Sequence, residues 1–348
     1  MKDYFKIVLI FSIVSMICSE NGYSQYANKK VNQKHQKYTD SLKQVDYNYI
    51  FPILGQEVYR KGFDIPYPVG LMANFMSIKQ GIDISNMQLG VKATNIDAPL
   101  TPISTDFLDF GENTNDSYTV NIRPDLWVLP FLNVYGIFGY GNTHTEVNLV
   151  KPIDLQSIVD QSIATYGFGV LAAAGIGPVW FTADANFTWN KPELLDEATR
   201  VNVVGLRLGK TFKFKNHPDS NIAVWVGAMS VNMQSETRGQ IKLGDAIPGL
   251  EDKADEIVNK YTVWYDDLTR AQKALVDNTP IPAIVDRIGQ ADGSTIVKYG
   301  MDKQVSEQWN GLVGLQYQYS KRWMLRTEAG LIGDRKSLLI SANYRFLL

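Results

Sequence analysis

The chain carries one cysteine, three histidines and a net charge of only −2 in 348 residues. Each scarcity removes a class of reading. A balance of 34 basic against 36 acidic residues gives no global attraction to nucleic acid or anionic lipid. His35, His144 and His217 are scattered, so neither a histidine-rich metal site nor any other cofactor is expected. Pieces such as "GFG" and "GIG" lack a following helix and read as strand or turn glycines, not phosphate cradles. Past the N-terminus no apolar run reaches about 18 residues, so no helical membrane span is expected.

The N-terminal segment has Lys2 and Lys6 ahead of an apolar stretch from Ile7 to Ile17, then Gly22 and Ser24 at alternate positions. That layout predicts a secretory signal over residues 1–24, cut before Gln25. Cys18 follows Ile17, where acylating enzymes want a small residue, so it leaves with the signal. The mature chain then has no thiol, which excludes disulfides and cysteine metal sites.

What the chain does have is period-two alternation. At the C-terminus Leu338, Ile340, Ala342, Tyr344, Phe346 and Leu348 share one face, and Ser341, Asn343 and Arg345 the other. The preceding runs place Trp309, Val313, Leu315 and Tyr317 opposite Asn310 and Gln316, and Trp323, Leu325 and Ala329 opposite Arg326 and Glu328. In "GPVWFTADANFTWN", Phe181, Ala185 and Phe187 oppose Asp184 and Asn186. Such segments predict roughly 12 strands (12–14) of about ten residues each. A mean hydropathy of −0.15 fits, because only every second residue of such a strand meets lipid.

Tyr166, Trp189, Trp309, Tyr317, Tyr319, Trp323 and Tyr344 sit at the ends of the apolar faces, as headgroup-level girdles do. With its leader and its apolar final strand, the chain resembles outer-membrane β-barrel proteins of Gram-negative bacteria, from Tyr67 to Leu348. The resemblance implies an all-β, antiparallel up-and-down transmembrane barrel in the cell outer membrane, with lipid as its surroundings. It also makes Tyr344, Phe346 and Leu348 a signal for the barrel-assembly machinery. Residues 25–66 are expected to form a periplasmic extension and lead-in to the barrel at 67–348.

One region breaks the strand series. From Leu250 to Leu275, apolar residues recur at three- and four-residue steps, predicting an amphipathic helix opened by Pro248 and Gly249. A second helical piece, "PAIVDRIGQ", completes an insert at about 248–290, readable as a cap on the barrel rim, a lumen plug or a partner-binding arm.

The charged residues expected to line the lumen are His144, Glu146, Asp184, Arg207, Arg322, Arg326 and Glu328. His144 and Glu146 could be a base and its orienter, but no serine stands at a matching offset, so an enzyme, such as one modifying outer-membrane lipid, is the third reading. The leading expectation is a non-catalytic channel or transporter for small solutes; the second is a structural or adhesion barrel with a sealed lumen and partner-binding loops. The processing reading predicts a mature N-terminus at Gln25 without acylation, checked by mass spectrometry; a diacylated Cys18 would refute it.

Overall fold

The structure is a computed structural model that describes residues 36–347 apart from 39, 63–64, 105, 153–154, 177, 215–216, 218 and 234–235. The expected signal, Cys18 and Leu348 lie outside the described residues. A short helix α1 (Gly55–Arg60) precedes β1 (Val69–Ala93), β2 (Ile96–Pro102), β3 (Asp109–Phe110), β4 (Asn113–Leu129) and β5 (Leu132–Lys151). Then come β6 (Leu155–Ile176), β7 (Val179–Pro192), β8 (Thr199–Lys213), β9 (Asn221–Met233) and β10 (Glu236–Lys242). Helices α2 (Leu243–Ala246), α3 (Leu250–Asp266), α4 (Arg270–Asp277) and α5 (Ile281–Gly289) follow, before β11 (Ile296–Val305), β12 (Trp309–Gln318), β13 (Trp323–Ile332) and β14 (Lys336–Phe346).

All fourteen strands belong to one antiparallel sheet, but ten of them close the barrel, in the order β1, β4 to β9, β12, β13 and β14. Closure is made by β1, which pairs with β14 from Val69↔Phe346 to Lys79↔Lys336 and with β4 from Val69↔Leu126 to Ile82↔Asn113. Strand lengths depart from the expected ten residues, running from 10 in β12 and β13 to 25 in β1. The excess is needed because the wall continues beyond the bilayer. Above Ile82, β1 exchanges its partners for β11 and β2, β10 joins β11, and β3 joins the top of β5. A bridge from Leu195 to Gly239 links β10 to the β7–β8 loop. These pairings make a turret on the rim.

Below the turret the faces of the strands are inverted relative to a water-soluble protein. Val120, Ile122, Phe138, Phe168, Val170, Phe181, Leu206 and Leu325 are exposed on the outside, whereas Asn74, Asn121, Asp184, Arg207, Glu328 and Asn343 are buried within. Exposed Tyr118, Tyr140, Tyr166 and Trp309 ring one edge of the belt; Tyr317, Tyr319 and Trp323, with Tyr344 against Trp323, ring the other. Between them β4 runs from Tyr118 to Leu126, a rise of roughly 20–25 Å once the usual tilt is allowed for, which matches a barrel's apolar band.

The termini of the barrel and its short turns share one end, the periplasmic end by the usual asymmetry of such barrels. The lead-in segment lies across it. Tyr38 reaches Asp219 of the β8–β9 turn at 3.5 Å and lies under Lys321 of the β12–β13 turn, while the Ile53 amide donates to the Val128 carbonyl on the opposite arc.

At the other end the helices cover the mouth. Leu250, Ala254 and Ile257 of α3 pack with Leu243, Ile247 and Ile288, against Leu149 of β5 and Val297 of β11. Val276 and Ile281 pack with Ile103 and Phe107 from the β2–β3 connection. The insert is thus a rim cap held on two walls. The single helix expected through Leu275 is broken: Thr269 accepts from the Gln272 amide and Gln272 returns the bond at 3.0 Å, a capping box that starts α4 and leaves Leu275 exposed.

The inverted faces predict a depth-dependent penalty. Ile122→Arg, in mid-belt, should cost about 2–4 kcal/mol, and Tyr118→Arg, at the girdle, about 0–1 kcal/mol. Urea titration of protein folded into vesicles measures both; equal costs would refute the placement of the belt.

Candidate functional site in the barrel lumen

Strands β7, β8 and β13 aim charged side chains, and β9 an indole, at one point inside the barrel. Arg207 on β8 makes a bidentate pair with Glu328 on β13, Nε to Oε2 at 2.7 Å and Nη2 to Oε1 at 2.9 Å, and its Nη1 donates to Asp184 on β7. Arg326 donates to the same Glu328 at 2.8 Å, and the Trp225 indole N–H donates to it at 2.8 Å. Two guanidinium groups therefore face two carboxylates, and the cluster is neutral. Desolvating four charges costs several kcal/mol each, so the cluster stands only because nearly every lone pair and donor is used.

Glycines make the geometry possible. A side chain at Gly205 would meet Arg207 Nη1 and Asp184 Oδ1, and one at Gly314 would overlap the Trp225 indole. Beyond the cluster, Asn186 donates to Asp184 at 2.9 Å and accepts from Tyr135, over whose ring Arg123 lies at 4.0 Å. Nearer the periplasmic end, Arg345 pairs with Asp125 at 2.8 Å and donates to the Tyr67 carbonyl at 2.7 Å. These layers form a polar floor.

Above the floor and under the helices lies a chamber of about 620 Å³. Its two sides differ in chemistry. The arc from β4 to β7 presents amides and hydroxyls, with Asn115 donating to Thr143 and Thr145 at 2.5 and 2.8 Å and Thr165 to Asn190 at 2.6 Å. Strands β1, β8, β9 and β11 present Met76, Ile78, Val203, Met229, Val231 and Met301. Ile284 and Ile288 of α5 form its roof. On β1 a bulge at Asn86, which adopts a left-handed φ of 50°, shifts the inward parity so that Met87 and Leu89 face the chamber after Ile84.

The expected lumen residues divide. Asp184, Arg207, Arg326 and Glu328 come together in the floor cluster. His144 and Glu146 do not line the lumen: Thr143, Thr145 and Val147 do, and His144 pairs outside with Asp160 at 2.7 Å. The outward parity of Phe138 and Tyr140 continues up β5, and above the girdle that face meets water, so its polar residues belong outside. Arg322 is exposed in the β12–β13 turn, against the Tyr67 ring and the Tyr344 hydroxyl. Tyr344 is an outward girdle residue that packs on Trp323 and on Phe346.

Sequence reasoning missed Trp225, Lys303 and Arg335. Trp225 hid in "NIAVWVGAMSV", which is apolar on both faces. Lys303 lies in a turret strand, and Arg335 in what reads as a polar turn. Lys303 lines the chamber without an ion pair or hydrogen bond among the described residues, and burial pushes its ammonium down to about 8. Arg335 is 2% exposed and also lines the chamber.

An apolar belt between two aromatic girdles, around a charged interior, makes the chain an outer-membrane β-barrel. Solved structures similar to it include the outer membrane protein OprG from Pseudomonas aeruginosa, at 11% identity over 82% of this chain and 100% of that one, with a TM-score of 0.34. The β-domain of the Bordetella autotransporter BrkA is similar at 14% identity over 80% and 100%, TM-score 0.31. The Ralstonia pickettii toluene transporter TbuX is similar at 7% over 80% and 90%, TM-score 0.30. No protein-family model and no curated relative matches the chain. At such scores the functional reading rests on the chain's own lumen.

The floor predicts that Arg207→Met, which leaves buried Asp184 without a cation and Glu328 with Arg326 alone, should destabilise the barrel by about 3–5 kcal/mol. Adding Asp184→Asn to it, which leaves Glu328 and Arg326 as a neutral pair, should recover part of that loss. Denaturant midpoints of the refolded variants measure both; a single variant as stable as the parent would refute the role of the cluster.

Proposed function

We propose that the protein takes up or carries a small, mostly apolar molecule in a gated lumen and is not an open, water-filled pore. The observation that carries this reading is the chamber itself. It has the size usual for small-molecule sites, about 300–1,000 Å³, one apolar side and one hydrogen-bonding side. A neutral ionic floor and the lead-in segment lie below it, and helices α3 to α5 lie above it. Passage needs the roof or the floor to move, so this is a transporter or binding barrel that does no bond chemistry on its cargo.

The sealed floor favours a second reading, a barrel closed for good whose helices and turret meet a partner outside the cell. The two differ in what the chamber does. Assembly into the membrane through the barrel-assembly machinery is common to both.

Two measurements test the proposal. In a planar bilayer the full chain should show no steady conductance, whereas an open pore would conduct continuously and overturn the gated reading. In nanodiscs, native mass spectrometry should find a neutral aromatic probe such as naphthalene retained at one equivalent, and Met229→Trp with Val203→Trp should abolish that retention. A folded parent that retains no probe would favour the closed barrel instead.

A further inference from the structure

The chamber is not electrically neutral. Its lining includes four cations, Arg123, Arg207, Lys303 and Arg335, against two carboxylates, Asp184 and Glu328. The carboxylates are consumed by Arg207 and Arg326 in the floor. Arg123 is satisfied by stacking on Tyr135. The remaining pair stands higher in the chamber.

Lys303 points from β11 into the chamber opposite Ile84, and no carboxylate approaches it among the described residues. Arg335 is held by Gln80, at 2.9 Å from Nε, and by the Glu307 carbonyl, at 3.3 Å from Nη2; its Nη1 is buried with no protein partner among the described residues. Its sequence neighbour Asp334 spends its carboxylate on the Gly81 amide at 2.6 Å. A half-buried ammonium without a counter-charge beside a fully buried guanidinium with an unpartnered Nη1 is costly, and such uncompensated charge marks a candidate site for an anionic ligand.

Beside these cations stand the methionines and valines of the apolar side. Methionine is flexible and adapts to irregular chains, and Met76, Met87, Met229 and Met301 all face the chamber. One wall thus offers apolar surface for a tail, and two cations offer charge for a head.

Resting on the transport reading above, we propose that the cargo is an amphiphile with a single anionic head, its carboxylate or phosphate paired with Lys303 and reached by Arg335, and its tail laid along the apolar side. A neutral hydrocarbon would leave both cations unanswered. A dianionic or sugar-rich solute would have no use for the apolar side.

The experiment is a binding titration on full-length protein in nanodiscs, with sodium dodecanoate, dodecyl phosphate, 1-dodecanol and dodecyltrimethylammonium as probes, each corrected for partition into empty discs. The parent should bind dodecanoate or dodecyl phosphate about tenfold or more above dodecanol, and the cationic probe weakest, as expected for a charge-assisted contact out of water. The stronger of the two anions identifies the head. Lys303→Met should bring the anion down to the level of dodecanol without changing dodecanol, and Lys303→Arg should keep the preference. Equal binding of dodecanoate, dodecyl phosphate and dodecanol by the parent, unchanged in Lys303→Met, overturns this inference and leaves the apolar chamber standing. Failure of every probe, naphthalene included, overturns the transport reading and this inference together. Because Lys303 lies in the turret, above the belt, an unchanged heat-dependent gel shift of the variants establishes that the barrel itself is folded.

Discussion

A sheet in hydrocarbon has no water to satisfy its edges, so every backbone N–H and C=O inside the belt must find a partner in another strand. The structure meets this constraint through β1. Its first half is paired on both sides, to β14 and to β4, and that double pairing turns a row of strands into a closed wall. The same strand then outgrows the membrane and collects β2 and β11, which organise the turret and give the helices a surface to rest on. Loss of β1–β14 pairing would undo the lumen and its cover as well as the belt.

Closure with lipid outside dictates what can be inside. The apolar residues of each strand are spent on the belt, so their neighbours, one position away, must fill the lumen with polar groups. A ten-stranded barrel is narrow enough for those groups to meet. Arg207 reaches carboxylates on two different strands, and the fork of a guanidinium suits two such acceptors where an ammonium would serve one geometry poorly. Charges in the floor are therefore a consequence of the inversion, cancelled in place.

Much of this was legible because the alternation is strict where the belt is. Phe181 against Asp184, Leu325 against Arg326 and Ile340 against Ser341 could each be assigned a side from sequence. Legibility failed where the environment changes along one strand. His144 and Glu146 continue the outward parity of Phe138 and Tyr140, but a polar residue in a barrel strand reads as lumen unless the height of the girdle is known. Trp225 was ambiguous because β9 is apolar on both faces, one toward lipid and one toward the cluster. Arg335 and Lys303 are separated from the rest of the chamber lining by long stretches of chain, and only the pairing of β1 with β11 and of Arg335 with Gln80 brings them to it. The helical insert was legible as amphipathic, yet the capping box at Thr269 was read through as a continuation of one helix.

Above the girdle the constraint is lifted and the arrangement turns right side out, with water outside and apolar residues within. The chamber sits where the two regimes meet, which explains why it has one wall of amides and one of methionine and valine. That junction also settles how so large a void is sustained. At about 24 cal/mol per Å³, a dry cavity of this size would cost on the order of 15 kcal/mol, as much as the entire stability of an ordinary domain. The amide and hydroxyl arc from β4 to β7 removes most of that cost by giving water somewhere to bind. Water on that side leaves the opposite side poorly solvated, and a tail that covers Met76, Val203 and Met229 releases apolar surface from water at roughly 25 cal/mol per Å². A chamber built this way is stable when it holds water and would gain free energy if the proposed amphiphile displaced it, which is the balance that the proposed carrier function requires.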